Sequence, residues 1–81
     1  MARVIVTPSF AREHLGAIEE LELEVGNLFQ LVAALEQRFP GFENFARIRT
    51  TFAVDGAVVN DWATSLSTES EVLLVPRIGG G

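Results

Sequence analysis

The chain contains no cysteine and no lysine, and its single histidine is His14. Without cysteine there is no disulfide. One histidine alone cannot build a structural metal site, so neither staple that often supports small folds is available. The absence of cysteine permits any redox compartment and gives no support for secretion. The absence of lysine excludes polymers of this chain linked through its own lysines. It leaves single attachment to another protein's lysine open. No apolar run approaches the roughly 20 residues of a membrane span, and the N-terminus carries no signal-peptide pattern. A soluble cytoplasmic protein with no membrane partner is the expectation. Positive charge is scarce: six arginines stand against eleven carboxylates, for a formal net charge of −5. Such a chain repels phosphate backbones, so no nucleic-acid partner is expected.

What is present suits one small α+β domain. Its 81 residues are 48% hydrophobic, ample for a compact core and contrary to disorder. Arg3 to Thr7 is rich in β-branched residues and reads as a first strand ended by Pro8. Ser9 to Gly16 reads as a connector with room for a helical turn. Glu20 to Val25 alternates strictly, with Leu21, Leu23 and Val25 on one side and three glutamates on the other, as in a half-buried antiparallel strand. Asn27 is a good N-cap. Leu28, Leu31, Val32, Leu35 and Phe39 then form one apolar stripe at helical spacing, stopped by Pro40-Gly41. This stripe is core rather than a cofactor site.

After a loop over Phe42 to Ala46, the pattern predicts a strand from Ile48 to Val54, a turn at Asp55-Gly56 and a short strand at Ala57 to Val59. Asn60 to Ser70 reads as irregular, with Leu66 pointing inward. Glu71 to Val75 reads as a central strand buried on both sides and stopped by Pro76, lying beside the first. The order predicts a mixed sheet with one main helix across one face. The boundaries are 1–75 for the domain and 76–81 for a C-terminal tail.

That tail ends in Gly79-Gly80-Gly81, three of the seven glycines. A glycine run has nothing to pack and the largest backbone entropy to lose, so it is not expected to order itself on the core. It forms no phosphate loop, because it opens no helix. Six residues beyond Val75 reach at most about 20 Å when extended. A bare thread of that length can enter a narrow channel in another protein and present a terminal carboxylate there.

Several segments, taken in order, resemble the ubiquitin-like sulfur carriers of the molybdopterin-synthase small-subunit and thiamine-sulfur-carrier group. Phe10-Ala11-Arg12 with Gly16 is similar to a shortened form of the family's connector. Val25-Gly26-Asn27-Leu28-Phe29 and Arg38-Phe39-Pro40-Gly41 resemble its helix and stop. Val54-Asp55-Gly56 resembles its hairpin turn, and Thr64-Ser65-Leu66 with Glu71 to Pro76 its last segment. Pro76-Arg77-Ile78-Gly79-Gly80-Gly81 resembles its ending. The chain departs from the family pattern at Glu69-Ser70, where Gly-Asp is frequent, and at Arg77, where an apolar residue or proline is frequent.

The resemblance implies a β-grasp fold and a carrier rather than an enzyme. It implies that Gly81 is the reactive residue, with Pro76, Arg77, Ile78, Gly79 and Gly80 threading into partners. An E1-like adenylating enzyme would use ATP and magnesium to join AMP to the Gly81 carboxylate. A sulfur donor would then leave a thiocarboxylate, delivered to a sulfur-accepting synthase or large subunit. Molybdopterin, thiamine, cysteine, thiolated tRNA and specialised metabolites are all served by similar carriers. Two other functions suit the same fold: a ubiquitin-like modifier joined through Gly81 to target lysines, and an interaction domain that uses its sheet surface.

No competing chemistry emerges from the residues. His14 with Ser9 and Glu13 is expected to be a surface residue rather than part of a triad. Asp55 is explained by its turn, which weakens an acid–base pair with Asp61. Phe42 and Phe45 are expected in a small cluster under the loops. Phe29 and Trp62 stand as candidates for an exposed docking patch.

Overall fold

The computed structural model describes residues 1–77. The elements run β1 (Ala2–Val6), α1 (Pro8–His14), β2 (Glu20–Leu23), α2 (Leu28–Arg38), α3 (Phe42–Arg49), β3 (Thr50–Val54), β4 (Ala57–Val59) and β5 (Glu71–Pro76). The five strands form one sheet in the order β2-β1-β5-β3-β4. β5 pairs parallel with β1 and antiparallel with β3, so the last strand is central and lies beside the first.

The sheet has one covered face. Val4, Val6, Phe52, Val72 and Leu74 point into a core shared with Phe10 and Ala11 of α1, Leu28, Leu31, Val32 and Leu35 of α2, and Phe42 and Ala46 of α3. The other face stays open. β5 alternates between exposed and buried positions, and Leu73 is 38% exposed. The expectation of a central strand buried on both sides is therefore corrected: all three helices contribute to the same core, and none is left to cover the reverse face.

On the edge strand β2, Glu20 and Glu22 are exposed while Leu21 and Leu23 are half-buried. The alternation thus places a charged row where strand addition would otherwise be invited. In α2, Asn27 Oδ1 accepts from the Gln30 N–H at 2.9 Å, and Gln30 Oε1 accepts from the Gly26 N–H at 2.7 Å. This reciprocal pair satisfies donors that the helix start leaves free.

The connector after β1, read with room for a helical turn, is a helix, with Pro8 in its first turn and Thr7 Oγ1 accepting from the Phe10 N–H at 3.3 Å. Two further expectations are corrected. The loop over Phe42 to Ala46 is α3, which runs on to Arg49, so Ile48 and Arg49 are helical and β3 begins at Thr50. The N-cap of α3, Gly41, has φ +98° and no side chain to offer. Glu36 of α2 supplies the acceptor, with its carboxylate taking the Gly41 N–H at 3.0 Å and the Glu43 N–H at 2.8 Å. Finally, Pro76 ends the ladder from within it, opposite Thr50, rather than stopping it from outside.

Candidate functional site

The C-terminal segment leaves the sheet from its middle. Pro76 is exposed and stands opposite Thr50, and the next residue is tied down by the Arg77 N–H bond to the Arg49 carbonyl at 2.7 Å. The first two residues of the expected tail are thus fixed to the β3 side of the sheet. Ile78, Gly79, Gly80 and Gly81 lie outside the described residues.

Beside this exit lies an open cleft of about 490 Å³ between α3, β3 and the segment after β4. Arg77 forms part of its wall, with Arg47 from α3 and Trp62 and Asp61 from the long connection; Phe29 of α2 also lines it. The aromatic part is built from parts remote in sequence. The Trp62 carbonyl accepts from the Phe29 N–H at 2.9 Å, which pins the connection to the start of α2. The indole then stands edge-on to both Phe29 and Phe52, with ring centroids 5.8 Å apart in each case. The Arg47 guanidinium sits 5.4 Å from the indole centroid, within range of a cation–π attraction. Its Nη2 also meets Glu43 Oε2 at 3.1 Å.

Thr50 lines the same cleft and is 2% exposed. Among the described residues, its Oγ1 is the one buried side-chain polar atom without a hydrogen-bond partner. A polar atom left in that state costs about 1–3 kcal/mol. Asp61 is committed locally, with Oδ1 accepting from the Ala63 N–H at 2.9 Å.

The other candidates resolve into structural roles. His14 stacks on Phe45 with centroids 3.8 Å apart and meets Phe10 edge-on at 5.2 Å. It belongs to an aromatic cluster with Phe42 and Phe45, and no hydrogen bond joins it to Ser9. Asp55 Oδ1 accepts from the Glu71 N–H at 2.8 Å, and the Asp55 N–H is donated to the Glu71 carbonyl at 2.8 Å. Its carboxylate thus braces the β3–β4 turn against β5. Among the described residues, no group of three or more His, Asp or Glu is placed to hold a metal ion, and no helix is long and apolar enough to cross a membrane.

Arg47 was not singled out in the sequence, because the segment before β3 reads as a loop, and Thr50 reads only as one position of the strand expected from Ile48 to Val54. The signal was present but short: Phe42, Phe45 and Ala46 fall at i, i+3 and i+4, helical spacing over only eight residues.

A mixed five-stranded sheet with helices on one face and a central last strand defines a ubiquitin-like β-grasp protein. The chain belongs to the ThiS family of ubiquitin-like sulfur carriers, whose family model matches residues 8–81. Three solved structures share the fold at low sequence identity. CysO of Mycobacterium tuberculosis, described as an antigen, superposes with a TM-score of 0.81 at 17% identity, covering 96% of this chain and 100% of that one. The Amycolatopsis orientalis BexX/CysO complex contains a chain that matches with a TM-score of 0.78 at 17% identity over 100% of both chains. Small archaeal modifier protein 1 of Methanosarcina acetivorans matches with a TM-score of 0.77 at 16% identity, over 99% of this chain and 95% of its own. Comparison with curated proteins gives no match.

Proposed function

We propose that this sulfur carrier works through the Gly81 carboxylate, which an E1-like adenylating enzyme activates with ATP and magnesium. The carrying observation is that the family match runs through Gly81 while the fold delivers that segment from its central strand, at Arg77.

A carboxylate is a poor acyl donor, being anionic and without a good leaving group. In the first step one of its oxygens bonds to the α-phosphorus of ATP as the bond to pyrophosphate breaks. In the second, a sulfide-level nucleophile from a sulfur donor bonds to the acyl carbon as its bond to AMP breaks. The thiocarboxylate left on Gly81 passes its sulfur to a synthase or large subunit. This chain contributes the acyl group and the fold that presents it, and acts as co-substrate. Gly80 and Gly81 carry no Cβ, which lets the backbone pass a narrow channel and bend at the reacting carbon. The Amycolatopsis neighbour, seen in complex with BexX, supports a carrier that works by docking on another protein.

Gly81→Ala and deletion of Gly81 are expected to leave the fold intact, as they lie beyond the last strand, and to abolish ATP–pyrophosphate exchange by the cognate adenylating enzyme. Normal exchange with the deletion variant would overturn the assignment. A second reading, conjugation through Gly81 to target lysines, is favoured by the structural likeness to an archaeal protein described as a modifier. Intact mass of the protein from its native host separates the two: a sulfur-for-oxygen increase marks the carrier, and adducts with other proteins mark the modifier.

A further inference from the structure

We propose that Arg49 and Arg77, at the exit of the C-terminal segment, keep the activated chain from acylating itself: they place positive charge within reach of the acyl carbon without placing an amine there. The inference rests on the reading of Gly81 as an activated acyl end, and it names residues that reserve the acyl group for an external acceptor.

The chemistry of an activated carboxyl sets the problem. An acyl adenylate, or a thioester that imitates it, reacts with an unprotonated amine or a thiolate that reaches it. The nitrogen or sulfur bonds to the acyl carbon, AMP or thiolate leaves with the electrons of the breaking bond, and an attacking amine gives up a proton. A chain with such a nucleophile beside its own activated end would consume itself. These 81 residues include no cysteine and no lysine, and all six strongly basic side chains are arginine. A guanidinium stays protonated and delocalised in any physiological buffer, so it offers no free electron pair. An ammonium in the same place is in equilibrium with a nucleophilic amine.

The fold puts this choice where it matters. The Arg77 N–H bond to the Arg49 carbonyl at 2.7 Å sets the two residues side by side, and both are exposed. Arg47, also exposed, lines the same cleft as Arg77. Gly81 is four residues beyond Arg77, a chain reach of at most about 14 Å, so the acyl carbon can return to either position. A lysine here would be a stronger nucleophile than an isolated one, because neighbouring positive charges disfavour its protonated form.

The remaining amine stands at the other end. The Met1 ammonium donates to the Thr68 carbonyl at 3.1 Å. Arg3 pairs with Glu71, and Met1 lies beyond that pair, so at least the length of β5 separates this amine from the exit. Six extended residues span about 20 Å, more than the thread covers. His14, the single imidazole, is packed against Phe10 and Phe45.

The test uses the full chain with Gly81 converted to an alkyl thioester by intein thiolysis, kept dilute in mildly alkaline buffer and followed by intact mass. The wild-type thioester is expected to yield only the free acid. Arg49→Lys is expected to yield an internal amide as well, lighter than the free acid by one water. Its thioester should disappear at least about 10-fold faster than the wild type's, at a rate independent of protein concentration, because the attack is intramolecular. Peptide mapping should place the new bond between position 49 and Gly81. Arg77→Lys is a second variant, expected to close a smaller ring. Arg49→Ala removes the guanidinium without adding an amine and should match the wild type.

Thioesters of both lysine variants that decay to the free acid at the wild-type rate overturn the inference. So does a wild-type chain that forms an amide to Met1, or an Arg49→Ala chain that forms an internal amide. ATP–pyrophosphate exchange by the adenylating enzyme of the same host is read separately on the wild type. Its absence overturns the activation reading, whatever the thioesters do.

Discussion

Glu36 joins two helices with one carboxylate. Its oxygens accept the Glu43 and Gly41 N–H groups, and these bonds, the Glu43 one first, hold the carboxyl below the usual glutamate range. A lowered folded-state value means that the charged form favours folding. The advantage is therefore present above the ordinary glutamate value of about 4.3 and is lost as the pH falls through the lower folded value. Glu36→Gln keeps one acceptor and turns an amide N–H toward a backbone N–H. It is expected to be less stable than the parent in urea at neutral pH, with the gap closing on acidification. A gap that persists undiminished in strong acid would assign the residue's role to packing. Nothing in the sequence pointed to this pairing, because Glu36 lies off the apolar stripe and its partners follow a proline-glycine stop.

At the level of elements, legibility followed length and pattern. The stripe from Leu28 to Phe39 and the alternation from Glu20 onward place α2 and β2 directly, because many residues repeat one period. The central place of β5 beside β1 was also legible, whereas the burial on both sides read from its apolar run was not what the fold has. α1 and α3 were not legible. Each spans two turns or so, too few repeats for a period to stand out, and both are held by partners distant in the chain. α3 depends on Phe42, 4% exposed and in contact with Phe45, and on Glu36 at its start. Phe42→Ala is expected to cost about 3–5 kcal/mol in a chemical denaturation experiment. A loss below about 1 kcal/mol would show that α3 is not an integral part of the core. The cleft inherits the same illegibility, since Arg47 comes from the helix that the pattern hid and Trp62 from a stretch without any period.

For the whole molecule, a small core and a central last strand do two jobs with one segment. β5 closes the sheet by pairing on both sides, and it also sets where the chain leaves the body. The proposed reactive end is suggested by composition alone, as a glycine ending on a lysine-free chain. The cleft that flanks its base was visible only in the fold. The parallel pairing of β1 with β5 carries a practical corollary. Arg3 stands beside Glu71 and Val6 beside Leu74, so both strands run the same way and Arg77 emerges at the end remote from Ala2. The six steps from Glu71 to Arg77 span about 20 Å of strand. An affinity handle or fluorescent protein joined ahead of Met1 is therefore expected to leave activation at wild-type rates, whereas the same handle joined after Gly81 should silence it. Equal activation of the two fusions would show that the carboxyl end is not where the partner works.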